Sequence, residues 1–294
     1  MFYPSTLPRI DHYFKPKSLE EAVALLARHG EDARVLSGGT DLVTLMRNHV
    51  LAPKCAIDIA GIPYIDYVRF DEMDGLRLGA LATLKALQES TVVAERYPLL
   101  MEAVRQMGSP TMRNQATVAG NICRASPAAD TAGPLLCLEA VVQIVGAAGR
   151  RTVPITEFFT GPGRSALAAD ELVAEIRVPV LPPGTGTSFI KLMRVAEDLA
   201  KVSVSAVLTL RDHTCADAKI ALGSGGPTPL RARRAEAALI GTRLDEHDLS
   251  AAAALAVQEM SPISDLRSTK EYRQEVTGVL VKRAISRCIE RASR

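Results

Sequence analysis

Two stretches of this chain carry the residue types from which a site for a polar ligand is built. The first is Thr117-Val-Ala-Gly-Asn-Ile-Cys-Arg-Ala-Ser-Pro-Ala-Ala-Asp130, crowded with small and turn-forming residues and punctuated by Thr117, Asn121, Ser126 and Asp130. The second is Ser37-Gly-Gly-Thr-Asp-Leu42, about eighty residues upstream. A loop short of bulk and rich in hydrogen-bonding groups lets a polar ligand approach the backbone closely. Taken singly, each polar side chain is better read as capping its own local turn. Their clustering, with a Gly-Gly loop elsewhere in the chain, favours a ligand site.

Other chemistries find little support. His12, His29, His49, His213 and His247 never fall at metal-ligand spacing. There is no Gly-x-Ser-x-Gly elbow for a serine nucleophile. The acidic residues are dispersed, and no glycosidase-type pair is identifiable. Cys55, Cys123, Cys137, Cys215 and Cys288 stand singly, with no Cys-x-x-Cys pair. They read as buried free thiols of a reducing compartment, not as a zinc or iron–sulfur framework. Two loops suited to a pyrophosphate, without an acid, base or nucleophile beside them, describe a site that holds a cofactor.

The elements around these stretches follow from pattern. Ser18-Leu-Glu-Glu21 reads as a capping box opening a helix that Gly30 stops. Arg34–Leu36 is a short strand running into Ser37-Gly-Gly39, and Asp41–Met46 starts a helix. Strand, glycine turn and helix start point free N–H groups at a bound anion. The motif is neither Gly-x-Gly-x-x-Gly nor a P-loop, and a purely structural turn stays open for it. Cys55–Ile59 and Leu76–Ala80 read as strands. Thr83 caps a helix to about Ala94, and another runs from Leu99 to Met107. The stretch from Thr117 to Asp130 is expected as a loop between helices. Pro134–Ala140 reads as helical, Val141–Val145 and Thr152–Ile155 as a hairpin, and Glu171–Val178 as a strand.

Leu181-Pro-Pro-Gly-Thr-Gly186 favours neither helix nor ladder and marks a domain boundary. Beyond it come three strands, about Ser188–Met193, Val202–Leu210 and Ala216–Leu222. Three helices follow, about Leu230–Ile240, Leu249–Met260 and Thr269–Arg291. Strands first and helices after is an α+β layout.

The 294 residues suffice for two domains. A net charge of +2, no Trp and 4% aromatics offer no footprint for nucleic acid or an anionic membrane. The N-terminus, Met1-Phe-Tyr-Pro-Ser-Thr-Leu-Pro8, lacks a leader pattern, and no apolar run reaches the about 18 residues that span a bilayer. A cytoplasmic protein is expected.

Ser37-Gly-Gly-Thr-Asp-Leu42, Thr117-Val-Ala-Gly-Asn121 and Ala125-Ser-Pro-Ala-Ala-Asp130 together resemble the FAD-binding medium subunit of molybdenum hydroxylases, of the carbon monoxide dehydrogenase and xanthine dehydrogenase type. Lys191–Lys201, read as Lys-x-x-Arg-x-x-x-Asp-x-Ala-Lys, and Ala221-Leu-Gly-Ser-Gly-Gly-Pro-Thr-Pro-Leu-Arg231 extend the resemblance over essentially the whole chain. It implies an α+β protein: a two-subdomain FAD-binding domain of the PCMH type over 1–180 (about 1–58 and 59–180), then an α+β C-terminal domain over 187–294 with a three-stranded antiparallel sheet and helices.

Residue by residue, the resemblance implies that Arg34, Val35, Leu36, Ser37, Gly38, Gly39, Thr40 and Asp41 wrap the FAD pyrophosphate. Thr117, Gly120 and Asn121 close over it. Asp130 takes the ribose or adenosine side, with Ser126 nearby. Val173 packs near the flavin or adenine, Lys191 gives a polar contact, and Met107 faces the flavin. Ala119 stands where many members have glycine. Some relatives carry an extra cysteine-rich loop with an iron–sulfur cluster, and none is expected here. The implied function is electron transfer. A large subunit with the molybdenum cofactor oxidises substrate, and a small subunit with two [2Fe–2S] clusters passes electrons to FAD, whose dimethylbenzene edge faces the clusters. The FAD then reduces an external acceptor, in an assembly expected as a dimer of heterotrimers. A flavin-free assembly module and a self-sufficient flavin oxidoreductase are the alternatives.

Overall fold

The computed structural model describes residues 8–293. Most of the stretch expected to lack a leader, together with Arg294, lies outside them. Three apolar cores organise the chain.

The first core is built on β1 (His12–Phe14), α1 (Leu19–His29), β2 (Ala33–Leu36), α2 (Leu42–Arg47) and β3 (Cys55–Asp58). The three strands form a parallel sheet in the order β1-β3-β2. Helix α1 starts where the Ser18 hydroxyl accepts from the Glu21 N–H at 3.1 Å. Glu21 does not complete the expected box, because its carboxylate accepts from the Lys17 N–H at 2.7 Å instead. Ala22, Val23 and Leu26 face Ile57 and Ala33 in the core, which is the stripe that helical spacing dictates.

The second core contains β4 (Val68–Asp71), β5 (Gly75–Gly79), α3 (Leu84–Glu89), α4 (Thr91–Arg96), α5 (Pro98–Arg105), α6 (Pro110–Arg113), α7 (Val118–Arg124) and α8 (Ala132–Cys137). It continues through β6 (Val141–Gly146), β7 (Gly149–Pro154), α9 (Ile155–Phe158), the two-stranded pair β8 (Phe159–Gly161) and β9 (Arg164–Ser165), and β10 (Leu172–Val178). The main sheet is antiparallel in the order β4-β5-β10-β6-β7. The single helix expected from Thr83 is two helices. Ser90 takes extended backbone between them and caps the second with its hydroxyl. The stretch from Thr117 to Asp130 is not all loop. Val118–Arg124 is helical, with the Thr117 hydroxyl accepting from the Gly120 N–H at 3.0 Å and Ala125 ending it in left-handed conformation. Small residues masked this helix in the sequence, but they are what lets it lie deep in the core.

On the open face of the main sheet, Glu175 is buried and holds together Arg77, Arg177 and Tyr67. Burial pushes its carboxyl up, but hydrogen bonds from Arg177, Tyr67 and Arg77 prevail and keep it below the ordinary glutamate value. Glu175→Gln should therefore lower stability at pH 7 by about 1–2 kcal/mol, since it removes the counter-charge of guanidiniums that remain partly solvated. A depressed carboxyl stabilises the fold above its unfolded pKa of about 4.3 and loses that contribution as pH falls through the folded value. The gap between denaturant titrations of the two proteins should thus begin to close below about pH 4.3 and vanish only below the folded value. A gap that persists unchanged in acid contradicts this.

The third core comprises β11 (Thr185–Leu192), β12 (Val202–Arg211), β13 (Thr214–Gly223), β14 (Leu230–Arg231), α10 (Arg233–Leu239), α11 (Glu246–Gln258) and α12 (Lys270–Ala292). Its antiparallel sheet has four strands, not three. Leu230–Arg231, read from sequence as the start of a helix, pairs with Ala221 and Leu222 as a short edge strand. Helices α10 and α12 cover one face of this sheet with α11 packed against them, and α5 and α8 of the second core pack on the other. Polar ties cross that junction. The Glu102 carboxylate accepts from the Phe189 N–H at 2.8 Å and pairs with Arg291 at 2.5 Å, and the Ser224 N–H donates to the Pro127 carbonyl at 2.7 Å. Among the described residues no helix is long and apolar enough to cross a membrane.

Candidate functional site

The two stretches singled out in sequence meet. The Ser37 hydroxyl lies 3.0 Å from the Thr117 hydroxyl, across a chain separation of 80 residues. β2 delivers Ser37 to this point, and the following turn is shaped by its glycines. A Cβ on Gly38 would overlap the Gln115 carbonyl oxygen and come within 2.8 Å of its carbon and 3.0 Å of the Ala116 Cα. Gly39 has φ +72, a conformation side chains rarely adopt. The backbone N–H groups of Gly38, Gly39, Thr40 and Asp41 donate to no backbone carbonyl among the described residues. Consecutive free N–H groups form a concavity for an anion.

Beside this turn lies a cavity of about 280 Å³ with walls from all three cores. The first contributes Thr40 and Asp41, and the third contributes Lys191 and Glu197–Leu199. The second contributes Met107, Asn121, Ser126 and Asp130, together with Met112 and Arg124.

Asp130 and Lys191 form a buried ion pair at 2.8 Å, their side chains only 5% and 1% exposed. The ammonium also donates to the Gln106 carbonyl at 3.1 Å. Burial raises the Asp130 carboxyl above its ordinary value, while the charge and hydrogen bond of Lys191 pull it back. Its second oxygen, Oδ1, is buried without a hydrogen-bond partner. Buried acceptors are rarely left unpaired, and this one belongs to a residue that lines the cavity. Asn121 is similar. Its Oδ1 accepts from the Thr131 hydroxyl at 2.6 Å and from the Thr131 N–H at 3.4 Å, which directs the amide NH₂ away from them. Ser126 caps its own turn, accepting from the Ala128 N–H at 3.2 Å.

Several expected residues sit elsewhere. The Arg34 guanidinium turns back onto the Glu31 and Ala33 carbonyls at 2.8 and 2.6 Å. Val35 packs against the first core and Val173 is buried in the second, and neither lines the cavity. Leu36 lies behind the turn, its side chain 3.2 Å from where a Gly39 Cβ would be. The Gly120 N–H is taken by Thr117. Conversely, the sequence reading passed over Arg124, whose guanidinium faces the Asp41 carboxylate at 4.0 Å, and Met112. It also passed over the Glu197–Leu199 segment, which the Arg194–Asp198 pair at 2.7 Å holds in place. The signal for that pair was present, since both residues are fixed positions of the Lys191–Lys201 motif.

A turn of free N–H groups beside a capped helix and a polar cavity is suited to a phosphate-bearing ligand such as a dinucleotide. The family is defined by comparison. The FAD-binding domain of molybdopterin dehydrogenases matches residues 8–181, and the C-terminal domain of the carbon monoxide dehydrogenase flavoprotein matches 187–288. The chain belongs to this family: it is an FAD-binding oxidoreductase subunit of the molybdenum hydroxylase type. The carbon monoxide dehydrogenase medium chain of Afipia carboxidovorans is 35% identical, over 97% of this chain and 99% of that one. The xanthine dehydrogenase FAD-binding subunit of Escherichia coli O157:H7 is 30% identical, over 95% and 96%. The crystal structure of carbon monoxide dehydrogenase from Hydrogenophaga pseudoflava contains a chain that superposes with a TM-score of 0.94 at 37% identity, covering 97% of this chain and 99% of that one.

Proposed function

We propose that this chain, as residues 1–180 with a C-terminal domain over 187–294, is the electron-transferring FAD subunit of a heteromeric molybdenum hydroxylase. In this reading a large subunit holds the molybdenum cofactor and a small subunit holds the [2Fe–2S] clusters. The observation that carries the FAD assignment is the cavity walled by three cores. The turn beside it leaves four backbone N–H groups unpaired at Gly38–Asp41, of which Thr40 and Asp41 line the cavity, and Asp130, with its unpaired Oδ1, is another lining residue.

The residues present fit the cofactor. The N–H groups of Gly38–Asp41 would hold the pyrophosphate, with the Ser37–Thr117 contact locking that turn to the second subdomain. Asp130 Oδ1 would accept from a ribose hydroxyl, and the Asn121 NH₂ and Ser126 lie on the same wall. Lys191 keeps Asp130 oriented. Met107 offers a soft apolar contact. Bound FAD supplies the redox chemistry, taking electrons singly and yielding a pair to an external acceptor. The protein's part is to bind and orient it, and no side chain here acts as acid or base. Assembly as a dimer of heterotrimers, in the cytoplasm, belongs to the same proposal.

The test is purification from the source cells by a tag on this chain. A flavin spectrum, FAD rather than FMN on extraction, and molybdenum and iron in the eluate are the expected result. A colourless chain that FAD does not reconstitute refutes the site assignment. FAD without either metal refutes the complex.

A further inference from the structure

The open face of the main sheet of the second core carries a row of arginines that no binding role yet explains. Arg69 on β4 pairs directly with Arg77 on β5, and Arg77 pairs directly with Arg177 on β10. Directly paired residues point to the same face, so three guanidiniums stand side by side across three strands. Like charges directly opposite one another destabilise a sheet. At contact distance this row has one carboxylate, Glu175, which takes Arg77 through Nε and Nη2, both at 2.9 Å, and Arg177 through Nε. Asp74, on the turn between β4 and β5, bears on Arg77 more weakly. Arg69 has no ion-pair partner among the described residues. It lies over the Tyr67 ring at 4.8 Å, and Tyr67 in turn donates to Glu175. At contact distance the row sets three positive groups against one negative, while Asp71, two residues along β4 on the same face, and Asp74 stand outside ion-pair distance of it.

This charge is ordered, not merely exposed. Glu175, its side chain 6% exposed, clamps two guanidiniums by their inner nitrogens. Arg77 and Arg177 themselves stay 37% and 38% exposed. The far end of the same face is closed by α1 of the first subdomain, which packs over Val145, Leu172 and Ala174. What remains is an open sheet surface, and small ligands prefer concave sites. The net charge of the whole chain, +2, also gives no long-range attraction for nucleic acid.

We propose that this face docks an acidic segment of a partner subunit, whose Asp or Glu carboxylates complete the half-neutralised row of Arg69, Arg77 and Arg177. The proposal rests on the reading of the chain as one subunit of a heteromeric complex. Carboxylate–guanidinium pairing gives such a contact geometric specificity.

Arg69 is the residue to change, because Arg77 and Arg177 hold a buried carboxylate and Arg69 does not. The tagged chain is purified from its source cells as Arg69→Glu, as Arg69→Lys and as wild type. Molybdenum and iron are then measured per flavin in the eluate. Arg69→Glu should lower both metals roughly tenfold at about 150 mM NaCl, with flavin content and melting temperature unchanged. Arg69→Lys should retain the metals, and a carbodiimide should cross-link its new amine to an Asp or Glu of a co-purifying subunit. Full recovery of both metals with Arg69→Glu overturns the proposal and leaves the complex standing. If wild type brings down neither metal, the complex itself is refuted and the docking face with it.

Discussion

Gly38→Ala should purify as a folded protein almost free of flavin. The added methyl would overlap the Gln115 carbonyl oxygen and press on the Ala116 Cα. These are backbone atoms, so no rotamer change relieves the clash and the turn must lift off the second subdomain. That movement breaks the Ser37–Thr117 contact and misaims the four free N–H groups together. A loss of about 3 kcal/mol, or roughly a hundredfold in FAD affinity, is expected. Gly39→Ala is the informative comparison. There the nearest atom is the Leu36 Cδ1 at 3.2 Å, a side chain able to yield, and the penalty is the left-handed φ of +72. Such strain costs about 1–2 kcal/mol, so Gly39→Ala should bind FAD more tightly than Gly38→Ala. Flavin fluorescence titration of both apoproteins decides the order, and circular dichroism checks the fold. Wild-type affinity in Gly38→Ala would remove the pyrophosphate assignment.

Lys191→Met should be the most destabilising single change at the cavity. It leaves Asp130 buried with neither oxygen paired, and breaking one side of a buried ion pair costs about 3–5 kcal/mol. The sign of the pH dependence follows from the carboxyl. Burial already raises Asp130, and without Lys191 nothing pulls it back. The folded variant therefore binds a proton more readily than the unfolded chain, and its deficit should shrink as the pH is lowered from 7 towards 5. Adding Asp130→Leu removes the stranded charge and should recover most of the stability while leaving FAD binding impaired. This separates the structural role of the pair from its role towards a ligand. Thermal unfolding of the two variants and wild type across that pH range provides the measurement. A deficit independent of pH would contradict the assignment of the penalty to an ionised Asp130.

Much of this was legible in the sequence because local rules and global packing agree. Ser18 and Thr83 cap helices at the expected places, and the alternation of Leu172–Val178 is a strand of the main sheet. The Gly-Gly turn is a turn of free N–H groups. The misreadings have physical causes. Val118–Arg124 was obscured because Gly120, Asn121 and the β-branched Val118 and Ile122 weaken helix propensity, whereas its Thr117 cap and burial against the second core restore it. Leu230–Arg231 is too short to carry a strand period. The placement of Arg34 is governed by two nearby carbonyls, a choice that residue type does not reveal. The Lys191–Asp130 pair spans 61 residues and two cores, so its members were separately visible but their union was not.

The cavity with walls from three cores has a consequence for the life of the chain. A ligand seated there is held only when all three cores are folded and in register, so its binding free energy adds to the folding of each. At a free concentration of about a hundred times Kd that gain is about 2.7 kcal/mol, comparable to a large share of the stability of an ordinary domain. The flavin-loaded chain should therefore open locally less often than the flavin-free chain and resist limited proteolysis better.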